Sequence, residues 1–220
     1  MNFDKRFNTY DENAHIQKHV AKNLVKFLSV MGVKKRKKAL EIGCGTGIFS
    51  KKFIENFLPS QLFLNDIYDV EKYLKDIKYN DFILGDIENI DLPRVDIVVS
   101  SSVFQWLKDF KICIEKIYKS SEELGFSMYI TGNLKEIREH FGVSLKYLSI
   151  DEIVDILKSI FVKVEWREEK VEIEFNTPME ALKHLKNTGV TGIERTSIQK
   201  IRSYKEKKLT YRVGYFYCKN

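Results

Sequence analysis

Three glycines at alternate positions constrain the fold of this chain more than any other feature. Gly43, Gly45 and Gly47 follow the short apolar segment 39–42 and precede a segment in which apolar residues have helical spacing. Glycine lets the backbone turn tightly and approach a ligand without a Cβ clash, and it is costly where neither is needed. The amides at the start of the following helix can bind polar groups of a ligand. The pattern therefore predicts a ligand-binding turn between a strand and a helix.

The spacing of the glycines in this turn indicates which class of nucleotide-like ligand it can bind. A pyrophosphate-binding loop usually has the pattern G-x-G-x-x-G, and a P-loop ends in Gly-Lys-Ser or Gly-Lys-Thr. Here the glycines alternate, Glu41 stands two residues before the first of them, and no Gly-Lys-Ser/Thr follows. A carboxylate at this place suits a cationic cofactor better than a diphosphate.

Apolar segments of strand length alternate with segments of helical spacing. Five short segments are predicted strands: 39–42, 62–64, 82–84, 95–100 and 126–130. Such alternation is typical of a parallel sheet with helices on both faces. The second half is predicted to form two antiparallel strands with helices between them, in the order helix 151–160, strand 161–175, helix 177–187, helix 197–204 and strand 209–218.

Polar residues end the predicted strands where a parallel sheet binds ligands. Asp66 ends the second strand roughly twenty residues after the glycines, where a carboxylate can accept both ribose hydroxyls. Asp86 ends the third strand and is placed to accept a hydrogen bond from an adenine amino group, with Ile87 packing on the ring. Each aspartate alone is also an ordinary turn residue. In this order at strand ends, they favour a nucleoside site.

Composition bounds the remaining classes. Hydrophobic residues make up 44% and charged residues 31% of the chain, which is typical of a globular protein. There is no apolar run long enough for a membrane span and no signal peptide, so we expect a cytoplasmic protein. Cys44, Cys113 and Cys218 lack metal-ligand spacing and are expected to be reduced thiols, without a metal. The net charge of +6 and the basic run 34–38 are interpreted as a solvated surface.

The glycine motif, Asp66, Gly85-Asp86 and the strand ending at Ser100 resemble the successive motifs of class I S-adenosylmethionine (SAM)-dependent methyltransferases. The resemblance covers about residues 10–130. It implies an α/β, Rossmann-like fold with a seven-stranded, mostly parallel sheet, helices on both faces and an antiparallel last strand. We expect a single domain over 1–220, with an N-terminal lid at about 1–30 and helical cap elements at about 133–148 and 176–208.

The same resemblance implies SAM as cofactor and S-adenosylhomocysteine (SAH) as product. The cofactor-binding residues that it implies are Tyr10, Gln17, Glu41, Gly43, Cys44, Gly45, Gly47, Asp66, Ile67, Asp86, Ile87 and Ser100.

A narrower resemblance spans nearly the whole chain. The segments that carry it are Phe7–Asp11 with Gln17, Ser102–Trp106, Phe175–Pro178, Leu185–Val190 and Leu209–Tyr211. They are similar to the malonyl-[acyl-carrier-protein] O-methyltransferase family of biotin synthesis. The resemblance implies methylation of the free carboxylate of a malonyl thioester, carried by acyl carrier protein or by coenzyme A. A positive surface would steer an acidic carrier protein toward the enzyme.

The chemistry of the residues is compatible with this acceptor. A carboxylate is already an anion at pH 7, so it needs alignment and loss of water rather than a general base. The sequence offers no convincing base, because the four histidines are expected to be solvated or satisfied. The family resemblance implies an arginine where this chain has Lys146. Lysine can pair with a carboxylate but cannot form the bidentate fork, and Lys146 is equally well an ordinary solvated residue.

Tyr10 is expected in the lid over the cofactor, and Gln105 and Trp106 in the substrate pocket, although Trp106 suits core packing as well. Three other functions stay open. A methyltransferase for a quinone or phenol would usually need a base near residues 100–105. A nucleic-acid enzyme would be expected to have Asn-Pro-Pro-Tyr where Ser100–Val103 stands. A SAM-binding protein without catalysis is the third. We expect a monomer that binds neither membrane nor nucleic acid.

Overall fold

A seven-stranded sheet organises the chain. The computed structural model describes residues 14–143, 145–188 and 197–220. The strands are β1 Lys38–Ile42, β2 Gln61–Asp66, β3 Asp81–Leu84, β4 Val95–Ser101, β5 Ser121–Tyr129, β6 Lys163–Glu174 and β7 Lys208–Lys219. Their order in the sheet is β3-β2-β1-β4-β5-β7-β6. Strands β1 to β5 pair in parallel, and β7 runs antiparallel to both of its neighbours. The predicted fold class is confirmed.

Helices cover both faces of the sheet. Those in the described residues are α1 His15–Val30, α2 Ile48–Phe57, α3 Phe110–Ser120, α4 Lys135–Phe141, α5 Ile150–Lys158, α6 Pro178–Thr188 and α7 Ile198–Arg202. Helices α1, α2, α4, α6 and α7 contribute to one hydrophobic core, and α3 and α5 to the other. No helix in these described ranges is long and apolar enough to cross a membrane.

The alternation of side chains along each strand separates the two cores. In β1, Ala39 packs in the core beneath α1 and α2, whereas Leu40 and Ile42 pack in the core beneath α3 and α5. The same period of two divides β7, where Tyr215 and Phe216 enter opposite cores. Both faces of the central strands are therefore buried, which explains why these strands are almost continuously apolar in sequence.

The predicted start of the fifth strand at residue 126 is wrong, because β5 begins at Ser121. The first half of β5 contains Glu123, a charged residue that interrupts the apolar pattern by which strands are predicted. In the structure its side chain is only 3% exposed. The ammonium groups of Lys37 and Lys219 lie 3.0 and 3.6 Å from one carboxylate oxygen of Glu123 and neutralise it. Lys37 thus departs from the solvated surface expected for the basic run.

A carboxylate on the edge strand holds α1 in place. Glu169 accepts hydrogen bonds from Asn23 Nδ2 at 3.1 and 3.0 Å and from the Tyr215 hydroxyl at 2.6 Å. The imidazole Nε2 of His19 lies 2.9 Å from the same carboxylate. His19, expected on a solvated face, is therefore part of the contact that fixes α1 against β6 and β7.

Candidate active site

The turn after β1 needs its glycines for two physical reasons. Gly43, Gly45 and Gly47 have φ angles of 69°, 54° and 81°, in the left-handed region that side chains disfavour. A Cβ at Gly43 would also lie 2.4 Å from Cγ2 of Val103, in the loop after β4. The turn therefore both reverses direction into α2 and presses against a second loop.

A cavity of about 470 Å³ lies at the carboxyl ends of β1, β2, β3 and β4, beside α1. Ten of the predicted site residues line it: Gln17, Glu41, Gly43, Cys44, Gly45, Asp66, Ile67, Asp86, Ile87 and Trp106. Gly47, Ser100, Gln105 and Lys146 are not among its described lining residues. Tyr10 lies outside the described residues. The volume is that of a site for a ligand the size of a nucleoside cofactor.

Asp66 is positioned by the turn that it faces. Its carboxylate oxygens accept hydrogen bonds from the amides of Gly45 and Tyr68, at 2.9 and 3.0 Å. Burial raises the pKa of this carboxyl, and the amide hydrogen bonds act in the opposite direction. A carboxylate oxygen has more than one acceptor position, so Asp66 can also accept the two hydroxyls of a ribose.

Glu41 is an unusual group for a protein interior. It is 1% exposed, and its Oε2 has no hydrogen-bond partner among the described residues. Burial raises its pKa to about 8, the Ser50 hydroxyl opposes this shift, and the charge of Asp66 adds to it. A buried acceptor without a partner is costly, and a cation beside it would offset the cost.

Gln17 on α1 repeats this feature in the same cavity. The side chain is 9% exposed and lines the cavity, and its Oε1 lacks a partner among the described residues. Two buried acceptors without partners among the described residues therefore line one cavity. A ligand with cationic or hydrogen-bond donor groups would satisfy them.

Asp86 and Ile87 line the cavity just after β3. The carboxylate of Asp86 accepts hydrogen bonds from the Glu88 amide at 3.0 Å and from Asn89 Nδ2 at 3.1 Å. It is thus a turn residue and a cavity residue at once. Ile87 is buried in the core beneath α3 and presents an apolar surface to the cavity.

Cys44 and Ser100 support the turn from within. Cys44 is buried, and burial raises the pKa of its thiol, which therefore stays protonated and unreactive. The Ser100 hydroxyl is fully buried and donates to the carbonyl of Ile42 at 2.9 Å. Ser100 therefore ties β4 to β1 behind the cavity.

The end of β4 and the loop after it, residues 101–106, supply a wall that was predicted only in part. Ser101, Ser102, Val103 and Trp106 line the cavity. Gln105 lies behind them and donates from Nε2 to the carbonyl of Ser102 at 2.5 Å. The sequence indicated this loop because it follows a predicted strand. Which of its side chains face the cavity depends on the loop backbone, which the sequence pattern does not predict.

Lys146 lies in an exposed position before α5. Its positive charge lowers the pKa of Glu152, after the larger effect of the Ser149 hydrogen bonds. The next residue, Tyr147, accepts a hydrogen bond at its carbonyl from Thr131 Oγ1 at 3.0 Å. Lys146 is therefore beside the carboxyl end of β5, on the outside of the protein.

Comparison with known proteins assigns the family. A model of the methyltransferase domain matches residues 40–127. The malonyl-[acyl-carrier protein] O-methyltransferase of Calditerrivibrio nitroreducens is 36% identical, over 98% of this chain and 93% of the relative. The enzyme of that name from Bacteroides thetaiotaomicron is 34% identical, over 89% and 78% of the two chains. The chain belongs to the malonyl-[acyl-carrier protein] O-methyltransferase family. The resemblance drawn from its motifs is confirmed.

A solved structure shows the same fold at lower identity. The plantazolicin methyltransferase BpumL, in complex with SAH, is 15% identical, covers 98% of this chain and 90% of its own, and superposes with a TM-score of 0.60. The described residues of our chain contain no group of three or more His, Cys, Asp and Glu side chains able to hold a metal ion.

We expect Gly43→Ala to weaken SAM binding by at least about tenfold, because the new methyl group adds a clash with Val103 to the backbone strain. Gly45→Ala is the matched control, since Gly45 also has a positive φ but nothing lies within 4 Å of its Cβ position. Titration calorimetry with SAM should give a larger loss for Gly43→Ala. Equal losses would contradict a specific effect of the Val103 contact.

The raised pKa of Glu41 predicts opposite effects of pH on stability and on binding. Between the unfolded value near 4.5 and about 8, the folded ligand-free protein holds a proton that the unfolded chain releases. Stability should therefore fall as pH rises through this window. A bound cation favours the carboxylate, so SAM affinity should rise with pH up to about 8, with release of a proton on binding.

Glu41→Gln is the variant that checks this. It should stabilise the ligand-free protein above pH 8, weaken SAM binding by at least about tenfold there, and abolish the proton release. The amino group of SAM also titrates near pH 8, but it does so with the unsubstituted protein and with Glu41→Gln alike. The difference in proton release between the two proteins therefore reports on Glu41. Unchanged proton release in calorimetry would contradict the assignment.

Proposed function

We propose that this chain transfers the methyl group of SAM to the free carboxylate of a malonyl thioester, carried by acyl carrier protein or by coenzyme A. The methyl ester formed would be the starting unit for pimeloyl synthesis in biotin formation. The observation that carries the proposal is the extent of similarity to relatives of this name. It spans 98% of the chain, well beyond the domain match at 40–127, and so includes the cap side where an acceptor would lie.

The cavity fits the cofactor at both ends. Asp66 would hold the ribose, Asp86 and Ile87 the adenine, and Glu41 with Gln17 the charged methionine end. When bound, the cofactor supplies an electrophilic methyl group on a sulfonium centre. The protein must then place the acceptor in line with that methyl group and keep water away from it.

The described walls suit an acceptor that is already an anion. Transfer to a carboxylate brings a cation and an anion together and leaves two neutral groups, so a water-poor, apolar wall favours it. Such a wall is present in Phe49, Val103, Trp106 and Leu107. The described lining includes no histidine. Three of its carboxylates, Glu41, Asp66 and Asp86, are assigned to the cofactor, and the fourth, Glu88, accepts hydrogen bonds from the amides of Lys108 and Asp109 at 3.0 Å. A phenol or quinol acceptor would therefore lack a histidine base there.

We further propose that residues 1–220 act as one domain, with a lid and a cap over the site. Helix α1 supports the lid, because it lines the cavity with Gln17 and Ala21. Helices α4, α6 and α7 support the cap, because they share a hydrophobic core with α1. A lid that shares its hydrophobic core with the cap would act with it as one unit.

The acceptor is tested by incubating the protein with methyl-labelled SAM and, in parallel, malonyl-acyl carrier protein, malonyl-coenzyme A and transfer RNA. Label should enter a malonyl thioester and be lost on mild alkaline hydrolysis of the ester. Acetyl-acyl carrier protein, which lacks the free carboxylate, is the matched control and should stay unlabelled. Label on RNA, or on the acetyl carrier, would overturn the proposal.

Lys146 is proposed, from the family resemblance, to pair with the acceptor carboxylate or to guide it. Lys146→Ala should then lower malonyl methylation by about tenfold or more and leave SAM affinity unchanged. Lys158→Ala, which removes an ammonium group that lies over the ring of Trp166, controls for overall charge. If Lys146→Ala weakens SAM binding and methylation equally, or changes neither, the role is wrong.

A further inference from the structure

We infer that Gln105 is a positioning residue, which shapes the cofactor cavity by holding Ser102 in a left-handed backbone conformation. Gln105 itself does not line the described cavity, so any effect on binding must pass through the loop of residues 101–106. The inference uses the proposed function only for the activity readout, since cofactor affinity can be measured without an acceptor.

Ser102 has a conformation that its own side chain does not stabilise. Its φ angle is 62°, a region that residues with a Cβ seldom adopt. Residues that do adopt it are usually helped by a local side-chain hydrogen bond. The Ser102 hydroxyl is buried and has no hydrogen-bond partner among the described residues. The conformation must therefore be imposed by the backbone contacts of Ser102.

Two contacts impose it. The Ser102 amide donates to the carbonyl of Ser127 on β5 at 2.8 Å. The Ser102 carbonyl accepts the hydrogen bond from Gln105 Nε2 at 2.5 Å. Gln105 Oε1 lies 3.4 Å from the amide of Tyr129, so the side-chain amide spans from the loop to the end of β5. Donor and acceptor ends of one side chain thus fix the loop to the sheet.

The Gln105 side chain, which links Ser102 to β5, is called the brace below, and the main chain that carries it is rigid. Gln105 belongs to the short 3-10 turn Phe104–Trp106, and Phe104 is 1% exposed. The Phe104 ring packs against Phe126 and Phe110, with centroid distances of 4.9 and 6.3 Å. Because the packed Phe104 fixes the main chain next to Gln105, the Gln105 side chain starts from a fixed point when it reaches Ser102 and Tyr129.

The backbone conformation of Ser102 affects both the cavity wall of which it is part and the glycine turn that Val103 contacts. Ser101, Ser102 and Val103 form part of the cavity wall. Val103 fills the space that a side chain at Gly43 would occupy, so it also bears on the cofactor turn. If Ser102 relaxed to an ordinary backbone conformation, Val103 would shift against Gly43. Gln105 therefore acts on the cofactor through two neighbours, without touching it.

Gln105→Ala should weaken SAM binding by about tenfold and lower kcat for methylation. The decisive variant adds Ser102→Gly, because glycine adopts a positive φ without the cost that the brace offsets. The double variant should recover most of the lost SAM affinity. Gln105→Ala with Ser102→Ala is the matched control: alanine also lacks the hydroxyl but keeps the cost, so it should recover none.

Calorimetric SAM affinity and thermal unfolding of all variants are the readouts. If Gln105→Ala does not fold, Gln105→Glu serves, because it keeps the acceptor toward Tyr129 and loses the donor to Ser102; it should show the same loss and the same rescue by Ser102→Gly. Unchanged affinity in the single variant, or no greater recovery with glycine than with alanine, would overturn the inference. Neither outcome depends on the identity of the methyl acceptor.

Discussion

The parallel pairing of β1 with β4 is the contact on which the site depends. The chain runs from β1 outward to β2 and β3 and then returns to the other side of β1, so strand order reverses between β1 and β4. Ile42 lies opposite Ser100 across this pair, and the Ser100 hydroxyl closes it by donating to the Ile42 carbonyl. The loops that leave these two strands must diverge, and the crevice between them is the cavity.

The two loops at this crevice constrain one another. Val103 occupies the Cβ space of Gly43, so the cofactor turn can have no side chain there and the loop after β4 cannot withdraw without opening a void. Each loop also has residues at positive φ, three glycines on one side and Ser102 on the other. The glycines adopt that conformation without cost, whereas Ser102 needs its partners. The cofactor turn is therefore sensitive to substitution of its own glycines, and the loop after β4 is sensitive to loss of the partners of Ser102.

The sequence predicted those parts of the site that obey local rules. A turn with positive φ angles calls for glycine, and a carboxylate after a buried strand points to the ligand edge, so the loop at 43–47, Asp66 and Asp86 could be found without a structure. The start of β5 could not, because Glu123 is tolerated only through Lys37 and Lys219, which are distant in sequence. The placement of Gln105 behind the loop depends on the positive φ angle of Ser102. The local sequence does not predict that angle, because serine seldom adopts it. The exposure of Lys146 follows from the packing of the segment before α5.

Helix α1 connects the cofactor end of the molecule to its far edge. One side of the helix presents Gln17 to the cavity, and another presents His19 and Asn23 to Glu169 on β6. Its apolar residues share a core with α6 and with Tyr211 on β7. A ligand that satisfies Gln17 would therefore stabilise the same helix that the edge strand and α6 hold. Because these contacts are made by one rigid element, cofactor binding should favour the packed arrangement of α1, β6 and α6 over any looser one.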